Sequence, residues 1–179
     1  MAQAFLPGMH DTGREQMSIG AVLPPTFEDF FVDHVKDVYG AVWLVTRNRQ
    51  EAEDITQDAF LKVWERWDRV STLDDPVGYL YVTAMNLWRS RGRRAGLAVR
   101  KVVHVARPDD ETTRVDATDA VVRALAPLSE RQRAALVLTD LLGFTSEQAA
   151  RAIGIRPSSV RVLAKRARDR VRTTLEDQR

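Results

Sequence analysis

"ARAIGIRPSSVRVLAKRARDRVR", Ala150 to Arg172, joins a tight-corner signal to a strongly basic helix. Just upstream, Thr145 and Gln148 form a capping box that opens a short helix predicted over Ser146–Ile153. Gly154 fits the corner, where left-handed backbone is cheap only for glycine. Pro157 stands where a first helical residue belongs. On the second helix Val160, Leu163, Ala164 and Ala167 share an inward face. Small Ala150, the Gly154 corner and the Val160 wedge are together what a helix-turn-helix needs. Arg156, Ser158, Ser159, Arg161, Val162, Lys165, Arg166 and Arg168 are left facing outward. Arginine grips phosphates or pairs bidentately with guanine, and hydroxyls at a helix start bind phosphates or bases. An isolated charge run is usually a solvated helix face. Here caps, corner, wedge and outward charge agree, and DNA binding is the expectation.

The rest of the chain is organised around charge. Residues 1–85 hold 7 Lys/Arg against 14 Asp/Glu, and residues 86–101 hold 6 basic and no acidic residues. Residues 102–119 hold 2 against 5, and residues 120–179 hold 12 against 6. Such blocks point to charged partners. The absence of cysteine excludes disulfides, thiolate chemistry and cysteine-based zinc sites. His10, His34 and His104 lack metal-ligand spacing. No apolar run approaches a membrane span, and the first residues lack signal-peptide features. A soluble, cytoplasmic chain without metal or cofactor is expected. No phosphate loop, nucleophile elbow or zinc-protease motif is present, so the chain is expected to act by binding and not as an enzyme.

Residues 1–25 lack periodicity and are expected to be a mobile tail. Thr26 and Asp29 then open a helix carrying Phe27, Phe30, Phe31, Val35, Val38, Val42 and Val45 on one face. In "QEAEDITQDAFLKVWERW", Ala52, Ile55, Ala59, Val63 and Trp67 form the inward side. Asp54, Gln57, Asp58, Leu61 and Glu65 form an outward acidic stripe with an embedded leucine. That stripe suits a protein partner with basic helices. A loop follows to Asp75-Pro76, an N-cap and first-turn proline. The third helix turns Val77, Leu80, Ala84, Leu87 and Trp88 inward and ends in a basic cluster interrupted by Gly92 and Gly96. Its outward row, Tyr79, Thr83, Asn86, Arg89 or Ser90, and Arg93, suits unstacked bases and a backbone. Residues 96–119 have linker composition. Ser129 and Gln132 form a further capping box, Leu138, Leu141 and Leu142 lie inward, and Gly143 ends that helix. The expected fold class is all-α, with two small helical domains joined by a flexible linker, the second a helix-turn-helix.

"AEDITQDAFLKVWERW", "DPVGYLYVTAMNLWRSRGRR" and "LAPLSERQRAALVLTDLLGFTSEQAARAIGIRPSSVRVLAKRARDRVR" together resemble the ECF (extracytoplasmic-function) sigma factors of bacterial RNA polymerase. The resemblance covers Phe27–Arg94 and Ala120–Leu175. It implies that 26–95 is sigma domain 2 and 120–176 is sigma domain 4. Asp54, Gln57, Asp58, Leu61 and Glu65 would dock on the β′ clamp helices of core polymerase. The Arg69–Asp75 loop, with Tyr79, Thr83, Asn86, Arg89, Arg93 and Arg94, would open and read the −10 element. Arg156–Arg168 would enter the major groove of the −35 element, and domain 4 would touch the β flap. Linker 96–119 would thread toward the active-site cleft. Family members are commonly held by an anti-sigma factor, although no residue here identifies one. Three positions depart from the family's habit: Arg156-Pro157 replaces a Ser or Thr cap, Val162-Leu163 replaces a Ser-Arg pair, and Tyr79 replaces a frequent tryptophan. The first two bear on promoter sequence. The competing expectation is a stand-alone dimeric helix-turn-helix regulator with palindromic half-sites.

Overall fold

Local caps decide where the helices begin. The Thr26 hydroxyl accepts the Asp29 amide hydrogen and opens α1, Phe27–Thr46. The Asn48 side chain accepts from the Glu51 amide and opens α2, Arg49–Trp64. A short helix α3, Trp67–Val70, follows. The Asp75 carboxylate then accepts the Gly78 amide at 2.7 Å ahead of α4, Pro76–Val99. These elements belong to a computed structural model that describes residues 26–99 and 116–177, and among these every regular element is helical. The tail 1–25 and the centre of the stretch read as a linker lie outside the described residues. α5 spans Asp116–Leu125 and α6 spans Glu130–Leu136, continuing into a π-helical turn at Val137–Leu141. The helix-turn-helix is α7, Ser146–Ile153, and α8, Pro157–Glu176.

Both capping boxes of the second half form, at Ser129/Gln132 and at Thr145/Gln148. Gly154 is left-handed at φ +68° and Pro157 begins α8. Val160, Ala164 and Ala167 are buried as their spacing requires.

Five expectations need correction. α2 stops at Trp64, so Trp67 falls on α3 and Glu65 falls on the helix cap. The chain tightens there, the Arg66 amide bonding to the Val63 carbonyl three residues back. Arg69 and Val70 likewise belong to α3 rather than to a loop. Phe31 is exposed at the mouth of the α1–α2 crevice rather than inward. Leu141 is exposed because the π-turn adds a residue to the period: the Leu142 amide reaches back five residues to the Val137 carbonyl. α4 also runs on through Gly92 to Val99, and α5 begins at Asp116, so both ends of the 96–119 stretch are helical.

The two helical groups share one apolar core. α1, α2 and α4 pack around Val38, Val42, Ile55, Val63 and Leu80, and the same cluster continues into Leu138, Ala149, Ile153 and Val160. Tyr81 and Met85 of α4 are buried, and the Tyr81 ring meets Phe144 edge-on at 6.2 Å. Three arginines cross the boundary, each ending at or near the last turn of a helix on the other side. Arg133 of α6 is buried. It donates from Nε to the Val45 carbonyl at 2.8 Å and from Nη1 to the Leu128 carbonyl at 2.6 Å. Arg47, left-handed at the end of α1, donates to the Val122 carbonyl at 3.0 Å. Arg89 of α4 lies against Gly154 at the end of α7. Cations favour these ends because unpaired carbonyls concentrate partial negative charge there.

This geometry separates two glycines. Gly143 and Gly154 have nearly the same left-handed φ, +69° and +68°. A Cβ at Gly143 would meet nothing within 4 Å, whereas one at Gly154 would collide with the Arg89 guanidinium. Both Gly→Ala changes incur a left-handed strain of about 1–2 kcal/mol, but only Gly154→Ala must also drive Arg89 from the corner. The guanidinium is the far end of a flexible side chain, so Gly154→Ala is expected to melt only slightly below Gly143→Ala, at roughly 2–4 °C per kcal/mol. Equal melting temperatures would mean that Arg89 contributes nothing at this corner.

Candidate nucleic-acid interface

α8 presents the basic face. Arg156, Ser158, Arg161, Val162, Lys165, Arg166 and Arg168 are exposed and Ser159 is half-exposed. Arg161 pairs with Glu147 of α7 at 3.4 Å, Lys165 with Asp169 at 3.2 Å, and Arg168 with Asp140 of the π-turn at 3.0 Å. Exposed pairs of this kind contribute little and exchange readily for a stronger acceptor such as phosphate. Arg156 and Arg166 have no ion-pair partner among the described residues. Arg156 is the N-cap and makes no side-chain capping bond, since a guanidinium has no acceptor to offer the helix N–H groups.

α4 divides its expected row. Tyr79, Thr83, Asn86, Arg93 and Arg94 follow one side of the helix, with Arg93 and Arg94 exposed. The Thr83 hydroxyl bonds back to the Tyr79 carbonyl, and Arg66 reaches the Tyr79 hydroxyl at 3.4 Å. Arg89 leaves the row. Its Nη2 donates to Asn86 at 3.0 Å, its Nε is buried without a partner, and its tip rests at the Gly154 corner.

α2 presents a mixed acidic and apolar face. Leu61 is 52% exposed and Gln57 is exposed, while Asp54 and Asp58 are partly covered. Trp64, 57% exposed, continues the Gln57–Leu61 line by one turn. With Phe27, Phe31, Val32 and Phe60 these residues line an open apolar groove of about 520 Å³. Contiguous exposed apolar surface beside charge is characteristic of a protein-docking site. Trp64 was legible from that spacing. Arg91, which bridges to both Asp54 and Asp58, was not, because its role depends on how α4 crosses α2. The Gln50 amide and then Arg91 hold the Asp54 carboxyl below its usual range. No described helix is long and apolar enough to cross a membrane, and the described residues form no metal-ligating group of three His, Cys, Asp or Glu.

Residues 30–97 match the family model for sigma-70 region 2, and residues 118–171 match the model for sigma-70 region 4. The RNA polymerase sigma factor CarQ of Myxococcus xanthus is 30% identical over 158 residues, covering 83% of this chain and 88% of CarQ. The ECF RNA polymerase sigma factor SigM of Mycobacterium tuberculosis is 29% identical over 180 residues, covering 93% and 89%. The chain belongs to the ECF sigma factors of bacterial RNA polymerase. The fold of this sigma factor is similar to that of RpoE from Bartonella quintana, crystallised with the anti-sigma factor NepR. That match has a TM-score of 0.66 at 25% identity and covers 86% of this chain and 98% of RpoE.

In this sigma factor Glu51, at the start of α2, has its carboxyl pushed up. Partial burial is the main cause, Glu130 of α6 and Asp54 add to it, and Arg91 opposes. A raised carboxyl favours the folded state only while protonated, and that contribution is lost as pH rises through the folded value. Glu51→Gln should therefore raise the melting temperature near neutral pH, and the gain should shrink toward about pH 4. Melting curves of both proteins across that range check the sign.

Proposed function

We propose that this sigma factor uses three surfaces in sequence. Asp54, Gln57, Asp58, Leu61 and Glu65, joined by Trp64, dock on the β′ clamp helices of core polymerase. Tyr79, Thr83, Asn86, Arg93 and Arg94, with Arg89 once it leaves the Gly154 corner, engage and separate the −10 element. The basic face Arg156–Arg168 enters the −35 major groove. Phosphate contacts set register and few base contacts set sequence. The work is differential binding: unstacking a base costs a few kcal/mol, and the pocket that receives it must return that amount. An anti-sigma partner, of the kind bound by RpoE, would act by holding these surfaces away from polymerase and DNA.

The observation that carries this reading is the coexistence, in one chain, of an exposed acidic and apolar face on α2 with basic faces on α4 and α8. A dimeric regulator could use the first to pair with its own copy, but it has no use for the second basic face on α4. Run-off transcription from a promoter library, with bacterial core polymerase and with or without the protein, tests it. Sequence-specific transcripts only in the protein's presence are expected. Absence of initiation, together with dimeric binding of a palindromic duplex, would replace this reading.

A further inference from the structure

Arg91, on the side of α4 next to α2 and off the outward row, forks across two carboxylates. Its Nη1 lies 3.2 Å from Asp54 Oδ2 and its Nη2 lies 2.7 Å from Asp58 Oδ2. The other Asp54 oxygen accepts from Gln50 at 3.0 Å. The Arg91 side chain is about two-thirds covered, whereas each aspartate side chain keeps nearly half its surface in solvent. Partial burial works against the charge on Arg91, but the hydrogen bonds it donates to Asp58 and Asp54 outweigh it and hold the side chain in its charged form. The fork thus joins the helix that offers a protein-docking face to the helix that ends in unpaired basic residues. It also hides one positive charge of α4 and part of the acidic stripe of α2.

Each half of the fork is attractive to a different partner. A basic protein helix competes with Arg91 for Asp54 and Asp58, and a DNA phosphate competes with the carboxylates for Arg91. Half-exposed ion pairs are weak enough to be exchanged. Arg94, one helical turn beyond Arg91, is exposed and without an ion-pair partner among the described residues, so a released Arg91 would stand beside it. We propose that the Asp54–Arg91–Asp58 fork is a hand-over: a basic protein partner that takes the two carboxylates frees Arg91 to bind DNA phosphate next to Arg94. Linkage then makes protein docking and DNA binding mutually reinforcing. The inference rests on the sigma-factor reading only for the identity of the protein partner, core polymerase. The fork itself is a property of the free chain.

A double-mutant cycle on the full chain tests it, using a fluorescently labelled single-stranded DNA of mixed sequence and anisotropy across a salt series. Asp54→Asn/Asp58→Asn should tighten binding about three- to tenfold and steepen the salt slope by about 0.7, as one added phosphate contact does. In the Arg91→Ala background that gain should fall to the level of Asp33→Asn/Asp37→Asn, which removes two exposed carboxylates of α1 that hold no ion-pair partner among the described residues. Arg91→Lys, which keeps charge without the fork geometry, should bind DNA with weaker dependence on Asp54 and Asp58. With core polymerase, Arg91→Ala should leave core affinity equal or higher and shorten the lifetime of the promoter complex at raised salt. An undiminished gain in the Arg91→Ala background would overturn the hand-over. So would loss of core affinity by Arg91→Ala with DNA binding unchanged, which would make Arg91 a static support of α2. If the wild-type chain failed to bind core at all, the sigma-factor reading would fall, while the free-chain cycle would still decide the fork.

Discussion

Reversing Arg161 and Lys165 together (R161E/K165E) is expected to reduce promoter-directed transcription about 30-fold or more, without loss of core polymerase binding. The two residues lie one helical turn apart on the exposed face of α8, and their present partners are surface carboxylates, Glu147 and Asp169. Each contact to base or phosphate is worth about 1–3 kcal/mol, and reversal adds repulsion from the DNA backbone. Neither side chain supports the core, which α8 meets through Val160, Ala164 and Ala167. The melting temperature should therefore stay close to that of the parent. Run-off transcription, core pull-down and a melting curve on one preparation separate these effects. Unchanged transcription would remove α8 from promoter recognition.

The largest stability effect away from the aliphatic core is expected at Arg133. This buried guanidinium bonds the Val45 carbonyl at the end of α1 and the Leu128 carbonyl before α6. It is satisfied by neutral carbonyls only, and burial lowers its pKa. Arg133→Leu fills the space but leaves both carbonyls without this donor, costing about 2–4 kcal/mol in total. For a chain of this size that is roughly a 5–15 °C fall in melting temperature. Arg133→Lys should recover only part, since one ammonium cannot reproduce the two diverging donors of the fork. Because one of the two bonds crosses between the helical groups, the Leu variant should also make residues around α4 and α7 more accessible to proteolysis or hydrogen exchange. A variant as stable as the parent would show that the crossing bond contributes nothing.

What the sequence made legible was local. The capping boxes at Ser129 and Thr145, the left-handed Gly154 and the leading Pro157 depend on neighbours within four residues, and each forms as its residues require. The outward face of α8 followed from the same periodicity. Leu141 was misplaced because a single π-turn changes the period, and nothing in "VLTDL" announces it. Trp67 and Glu65 were carried past a helix end that lacks glycine or proline. Tyr81 and Met85 lie beside, not on, the apolar stripe of α4. Their burial, like the turning of Arg89 to Gly154 and of Arg91 to Asp54 and Asp58, follows from helix packing across long separations in sequence. The composition of each interface could be read from the chain, whereas the internal pairing of its charges could not.

Those pairings restrain the free chain. Arg89 is engaged at the Gly154 corner, Arg91 at the acidic stripe, and Arg161, Lys165 and Arg168 by carboxylates. The acidic α2 face also repels DNA. The most direct test is the affinity of one labelled promoter fragment for this protein alone and for the same protein bound to core polymerase, at the same salt concentration. Weak, sequence-indifferent binding alone and tight, promoter-specific binding with core is the predicted result. Tight and specific binding by the isolated chain, unchanged by core polymerase, would contradict it.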